Sequence, residues 1–156
     1  MEGTYRLLVQ SPIGPLPLFG TESALVKLAF GDVREGADAP SPVLRQAARE
    51  LEEYFSGKRR EFTAALAPEG TAFQRRVWNE LRKIPYGTTA SYRDIAVGIE
   101  KPGAAVAVGQ ANSRNPIPIL IPCHRVIGSD GRMVGYAGGL EIKKALLAVE
   151  GIQGRE

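Results

Sequence analysis

The chain has 156 residues, 44% of them hydrophobic and 24% charged, with a net charge of +3. That is the make-up of a globular chain with one main core and room for a small appended lobe, and it excludes intrinsic disorder and collagen-like repeats. No apolar run nears the roughly 20 residues a bilayer span needs, and Met1–Gln10 lacks a charged-then-apolar leader, so a cytoplasmic location is expected.

The first thirty residues alternate short apolar stretches with turn residues: Thr4–Gln10, then Ser11-Pro12-Ile13-Gly14-Pro15, then Leu16–Phe19 and Ala24–Phe30. This pattern predicts an antiparallel meander. Gly31–Pro40 is polar and rich in Gly, Ala and Asp, a loop. Ser41 offers an N-cap and Pro42 suits the first helical position. Leu44, Ala47, Ala48, Leu51, Tyr54 and Phe55 then recur at helical spacing until Gly57, which predicts an amphipathic helix. Arg59–Ala65 reads as a further strand, and Ala67-Pro68-Glu69-Gly70 as a linker.

The charge balance changes at that linker. Residues 1–69 carry 8 Lys+Arg against 10 Asp+Glu, a balance of −2, and residues 70–156 carry 12 against 7, a balance of +5. The sequence therefore divides into 1–69 and 70–156. The basic excess of the second part suits a polyanion-facing surface, and it is equally the ordinary solvation of Lys and Arg.

Thr71 can cap a helix to about Lys83, with Phe73, Val77, Leu81 and Ile84 on one face and Pro85-Tyr86-Gly87 ending it. Ser91 with Asp94 three residues on forms a capping-box pattern, opening a short helix to about Val97. Lys101-Pro102-Gly103 is a turn, and Ala104–Ala111 a second short helix. Two short helices across a tight turn fit a helix-turn-helix or plain packing elements. The alternating prolines of Asn115–Gly128 rule out a helix and a central strand, which predicts a rigid extended run. Ser129–Arg132 is a turn before Met133–Tyr136, Ala137–Gly139 a loop, and Leu140–Glu150 a closing helix with Ile142, Leu146, Leu147 and Val149 apolar, stopped by Gly151.

The only cysteine and the only histidine, Cys123 and His124, are adjacent within that proline-stiffened run. A lone cysteine closes no internal disulfide, and one Cys with one His does not complete a four-ligand zinc shell, so no metal is expected. Such a cysteine is commonly an inert small hydrophobe, and neighbours on an extended segment point to opposite sides. As a nucleophile it needs a base, of which His124 is the only imidazole candidate, and that base needs an orienting partner.

Pro122-Cys123-His124-Arg125-Val126, preceded by Asn115-Pro116-Ile117-Pro118-Ile119-Leu120-Ile121, resembles the active-site signature of the O6-alkylguanine-DNA alkyltransferases. The resemblance extends to Ile84-Pro85-Tyr86-Gly87 with Ser91-Tyr92, to Pro102-Gly103-Ala104-Ala105, to Gly135–Leu140, and to Ala145-Leu146-Leu147 with Glu150. It is strong over about residues 71–151 and looser over 1–69, where it rests on Ser11–Gly14 and Tyr54–Lys58.

The resemblance implies an α+β protein. Its first domain, 1–69, would be ribonuclease H-like, with a small antiparallel sheet and a helix. Its second, 70–156, would be a winged helix-turn-helix carrying the acceptor cysteine. It further implies a monomer without cofactor that flips O6-alkylguanine, and also O4-alkylthymine, from double-stranded DNA and takes the alkyl group irreversibly. Cys123 would be the thiolate acceptor, His124 its water-mediated base and Glu150 the orienting carboxylate, the logic of a catalytic triad. Tyr92 would donate its hydroxyl to the leaving purine. Asn115 would brace the segment, and the carbonyls of Cys123 and Val126 would accept from the exocyclic amine. Pro118 and Tyr136 would wall the alkyl pocket, with Ala137 near O6.

For DNA the resemblance implies minor-groove entry by the second short helix. Ala104, Ala105, Ala107 and Gly109 present little bulk there, and Arg114 and Arg125 would be further DNA contacts. The family fills the hole left by the flipped base with an arginine from this helix, and here that position is Val106, an apolar wedge with no charge. A lesion-binding sensor with transfer on duplex DNA impaired by Val106 is the alternative. A transcriptional regulator and a Cys-His hydrolase are the readings from other classes.

Overall fold

The computed structural model describes residues 5–31, 38–128, 136 and 139–152. The predicted Met133–Gly135 stretch, the Ser129–Arg132 turn and the Ala137 site position lie outside the described residues. The chain divides into two compact units, Met1–Glu69 and Gly70–Glu156.

The first unit carries the meander as an antiparallel sheet, β1 (Tyr5–Ser11), β2 (Gly14–Gly20) and β3 (Leu25–Leu28) in that order. Ser11 pairs with Gly14 across the hairpin, where Gly14 has φ +103°, a backbone conformation natural to glycine. Helix α1 (Pro42–Phe55) packs on the sheet. Ser41 caps it by accepting from the Leu44 N–H, with Pro42 at the first position as its fixed φ favours. Leu16, Leu18, Leu25, Leu44, Ala47, Leu51 and Tyr54 are fully buried, and truncating one such leucine to alanine costs about 2–5 kcal/mol.

Arg59–Ala65 forms no named strand. The α1 residue Glu50, which helical periodicity did not single out, is buried and organises that segment. Its carboxylate accepts from the backbone N–H groups of Thr63 at 2.9 Å and Ala64 at 3.1 Å, and from the Thr63 hydroxyl at 2.5 Å. Burial alone would raise its pKa, and these bonds together with one from Gln46 outweigh burial and hold it below the usual value. Two of the segment's N–H groups are thus satisfied by a side chain, and the chain meets β3 at Leu25, whose N–H donates to the Ala65 carbonyl at 2.8 Å and whose carbonyl accepts from the Ala67 N–H at 2.8 Å.

The second unit is mostly helical: α2 (Ala72–Leu81), α3 (Tyr92–Gly98), α4 (Ala105–Ser113) and α5 (Leu140–Val149). Thr71 and Gln74 close a capping box on α2, and Ser91 and Asp94 another on α3. Trp78 of α2 is buried and its indole N–H donates to the Ala111 carbonyl at 2.9 Å, tying α2 to the end of α4. A Cβ at Gly70 would lie 2.4 Å from the Trp78 ring, so the chain enters α2 against an aromatic face that only glycine clears. A short parallel ladder of β4 (Ala90–Ser91) and β5 (Val126–Ile127), absent from the sequence reading, joins the start of α3 to the residues just after Cys123. Among the described residues no helix is long and apolar enough to cross a membrane.

The prolines of 115–122 do not give an extended run. Asn115 clips the segment into a turn: its Oδ1 accepts from the Ile117 N–H at 2.9 Å and its Nδ2 donates to the Ile121 carbonyl at 2.8 Å. The backbone closes the same turn, Ile121 N–H to Ile117 carbonyl at 3.0 Å. Ile119 is carried to φ +77°, a strained setting for a β-branched residue that is otherwise buried. Cys123–Arg125 then form one 3-10 turn rather than part of a strand.

Candidate functional site

The 3-10 turn places Cys123, His124 and Arg125 against the end of α5, and all three are buried. At that end Gly151 has φ +81°, and the Ile152 N–H donates to the Leu147 carbonyl at 2.8 Å and the Gly151 N–H to Ala148 at 3.0 Å. This glycine-dependent terminus leaves Glu150 as the cap residue just after the helix, with its side chain buried.

Four N–H donors converge on the Glu150 carboxylate. His124 Nε2 lies 2.7 Å from Oε2, Arg125 Nε is 2.8 Å from Oε1 and Nη2 3.0 Å from Oε2, and the Gly87 backbone N–H is 3.0 Å from Oε1. A carboxylate has about four lone-pair sites, so this one is filled. Gly87 reaches it through a turn with φ +79°, which explains the glycine of Ile84-Pro85-Tyr86-Gly87. The same turn supplies the Ile84 carbonyl to Arg125 Nη1 at 2.8 Å and the Tyr86 ring, 5.8 Å below the guanidinium. A carboxylate at a helix C-terminus meets an unfavourable dipole, and the paired Arg125 offsets it.

The expectation of Arg125 as a DNA contact is therefore corrected. The residue is 5% exposed, and Nε, Nη1 and Nη2 are all bonded to protein groups. Its role is to hold Glu150.

Burial keeps His124 below the usual imidazole pKa despite the Glu150 contact, so it is neutral at neutral pH. With Nε2–H given to Glu150, Nδ1 is left with its lone pair and has no partner among the described residues. Burial raises the Cys123 thiol, while Asn115, Tyr136 and the charge of Lys143 act the other way. At rest the site holds a thiol beside a neutral imidazole, so a nucleophile forms by proton transfer to a base. Burial, and then the Cys123 charge, also raise Tyr92, which stays protonated and can donate.

Tyr92 opens α3 next to the β4–β5 ladder, and a Cβ at Gly109 would stand 3.7 Å from its ring, so α4 meets the site at a residue without bulk. Pro118 is buried within the Asn115 turn, and Tyr136 is half-buried. The Val126 carbonyl is already taken up by Lys143 Nζ at 2.6 Å, one of its two lone pairs. On α4, Ala104, Ala105, Ala107 and Gly109 are half-buried while Val106 is 78% exposed. Arg114 is exposed and lines a cavity of about 290 Å³ with Thr71, Gln74, Ala107 and Gln110.

Sequence reading missed Lys143 and Asn112. Lys143 is fully buried, and on α5 it shares one stripe with Leu146, Leu147 and Glu150, a spacing of three, four and seven. A lysine on the apolar stripe was the available signal. Asn112 Nδ2 reaches the Cys123 carbonyl at 3.5 Å from α4, and no local pattern marks it.

Comparison with known proteins gives matches along the whole length. Residues 72–152 match the family described as 6-O-methylguanine DNA methyltransferase, DNA binding domain, and residues 4–68 its ribonuclease-like domain. A methylated-DNA–protein-cysteine methyltransferase of Methanosarcina barkeri is 53% identical over 152 residues, covering 94% of this chain and 96% of that one. The constitutive one of Bacillus subtilis is 40% identical over 162 residues, covering 97% and 98%. The crystal structure of Mycobacterium tuberculosis OGT in complex with DNA superposes with a TM-score of 0.85 at 45% identity, covering 94% of this chain and 92% of that one.

Proposed function

This chain belongs to the 6-O-methylguanine DNA methyltransferase family and is a DNA-binding repair protein that works by alkyl transfer; we propose that Cys123 is the residue that accepts the alkyl group, once and irreversibly. The observation that carries this is the buried cluster in which Glu150 holds both His124 and Arg125, the two residues that follow the cysteine on its 3-10 turn.

His124 Nδ1 takes the proton from Sγ, directly or through a water, and Glu150 stabilises the imidazolium. The thiolate attacks the alkyl carbon, the S–C bond forms as the C–O6 bond breaks, and the purine leaves with the electron pair. Tyr92 donates to the ring as that charge develops, and the proton taken from Cys123 ends on the released guanine. Because the thioether is not cleaved, each molecule acts once.

Asn115 braces the cysteine turn, Pro118, Tyr136 and Ala137 border the alkyl group, and the Cys123 and Val126 carbonyls accept from the base. Residues 1–69 form the α/β domain, and 70–156 the winged-helix domain that binds DNA and accepts the alkyl group. The substrate is double-stranded DNA carrying O6-alkylguanine, and O4-alkylthymine in addition. The protein acts as a monomer in the cytoplasm. Helix α4 approaches the minor groove with Ala104, Ala105, Ala107 and Gly109, and Arg114 lies beside it for a phosphate. Val106, exposed on that helix, enters the gap left by the flipped base as an apolar wedge.

The lesion-sensor alternative has no support in the relatives, which are named methyltransferases at 40–53% identity. The test of the assignment is uptake of labelled methyl from a duplex containing O6-methylguanine. Wild type takes up one equivalent and Cys123→Ala none; equal uptake by both would overturn it.

A further inference from the structure

We infer that Asn112 is a specificity-determining residue whose side-chain Oδ1 accepts from the exocyclic amine of the flipped guanine, beside the Cys123 carbonyl. This rests on the reading of Cys123 as the acceptor and of its carbonyl as a contact of the base.

Asn112 lies near the end of α4, where its backbone is held on both sides. Trp78 donates to the carbonyl of the preceding residue, Ala111, at 2.9 Å, and the Asn112 carbonyl accepts from the Asn115 N–H at 3.4 Å. The residue is 3% exposed, no less buried than Cys123, which is also 3% exposed. A base that brings its alkyl carbon to the Cys123 sulfur therefore enters the layer in which Asn112 sits.

The two arms of this amide are differently occupied. Nδ2 donates to the Cys123 carbonyl at 3.5 Å, which sets the amide with its oxygen on the other arm. That oxygen, Oδ1, is fully buried and meets no donor among the described residues. A buried acceptor without a donor costs stability, so the free protein carries this amide at a loss that a donor on the ligand recovers.

The neighbouring acceptors are already in use. The Cys123 carbonyl takes the Val126 N–H of the 3-10 turn as well as Asn112 Nδ2, and the Val126 carbonyl takes Lys143 Nζ at 2.6 Å. Each carbonyl has two lone pairs, and the amine of guanine brings two N–H donors. Of the three oxygens, Asn112 Oδ1 is the one with its capacity whole. A site built around a donor of its substrate rejects the analogue that lacks it, because the buried acceptor then stays unpaired. Asn112 thereby separates guanine from hypoxanthine lesions, which differ by that amine alone.

The test measures single-turnover transfer in the full chain from duplexes carrying O6-methylguanine or O6-methylhypoxanthine at the same position, with the adduct mapped to Cys123 by peptide mass spectrometry. Wild type should favour the guanine lesion by about tenfold or more. Asn112→Leu should bring the two rates together by slowing the guanine reaction alone, and Asn112→Asp, which keeps an oxygen acceptor, should retain the preference. Rates that fall by the same factor on both lesions would make Asn112 a structural brace and overturn the inference, as would equal rates in wild type. Loss of the preference in Asn112→Asp as in Asn112→Leu would mean action through the Cys123 carbonyl alone and overturn the direct contact. Should Asn112→Leu fail to fold, Asn112→Ala is read in the same way. Wild type that leaves Cys123 unmodified by either lesion would overturn the acceptor reading and this inference with it.

Discussion

His124 Nε2 stands 2.7 Å from Glu150 Oε2, and both side chains are fully buried. The carboxylate comes from 26 residues further along the chain and fixes the imidazole with its other nitrogen directed away from Glu150. What the site can do follows from that one bond: a neutral base whose tautomer is set, next to a thiol that does not ionise unaided.

Replacing Glu150 by glutamine keeps the shape and removes the charge. Arg125 then loses its buried partner, which costs about 3–5 kcal/mol of stability. With the imidazolium no longer stabilised, transfer to Cys123 should slow by about 100-fold or more. Urea unfolding and single-turnover transfer, run well below the melting temperature of the variant, measure the two effects separately. Unchanged transfer in a folded variant would remove Glu150 from the mechanism.

His124 also ties stability to pH. Its native pKa lies below the usual 6.5, so beneath 6.5 the unfolded chain binds a proton that the native chain does not. Native stability must then fall as pH drops below 6.5, by at most about 1.4 kcal/mol per unit, until the native pKa is reached. Urea midpoints compared at pH values above and below 6.5 should show this slope in wild type and lose it in His124→Asn.

Asn115→Ala removes the two side-chain bonds that help close the 117–121 turn. Two buried backbone groups lose their partner, which should cost about 2–4 kcal/mol and release the strained Ile119. Thermal melts and transfer rates read this together. A stable variant with unchanged transfer would show that the turn holds itself through the Ile117–Ile121 backbone bond.

Val106→Arg adds a hydrogen-bonding, positively charged group at an exposed position of α4. Transfer from alkylated duplex should accelerate much more than transfer from free O6-benzylguanine, which needs no flipping. Equal effects on the two substrates would sink the wedge assignment.

What was legible beforehand was local. Ser41 with Pro42, Ser91 with Asp94, and Gly151 each act through neighbours a few residues away, and their elements follow the sequence pattern. The departures are long-range. Arg125 looked like a free cation because its partners lie 25 and 41 residues away, at Glu150 and Ile84. Lys143 and Glu50 sit on apolar helix stripes with partners on other segments, so periodicity alone set them aside. The prolines of 115–122 suggested an extended run, and the fold makes a turn because the Asn115 side chain supplies the bonds a partner strand would have given. The Cys123–His124–Glu150 assignment came from resemblance, and the geometry supplies the hydrogen bond that spacing does not reveal.

The central claim is tested most directly by intact-protein and peptide mass spectrometry after incubation with a duplex containing O6-methylguanine. A single methyl adduct, one per molecule and mapped to Cys123, is the expected result, with none in Cys123→Ala. An unmodified Cys123 in protein that still binds the damaged duplex would contradict the account.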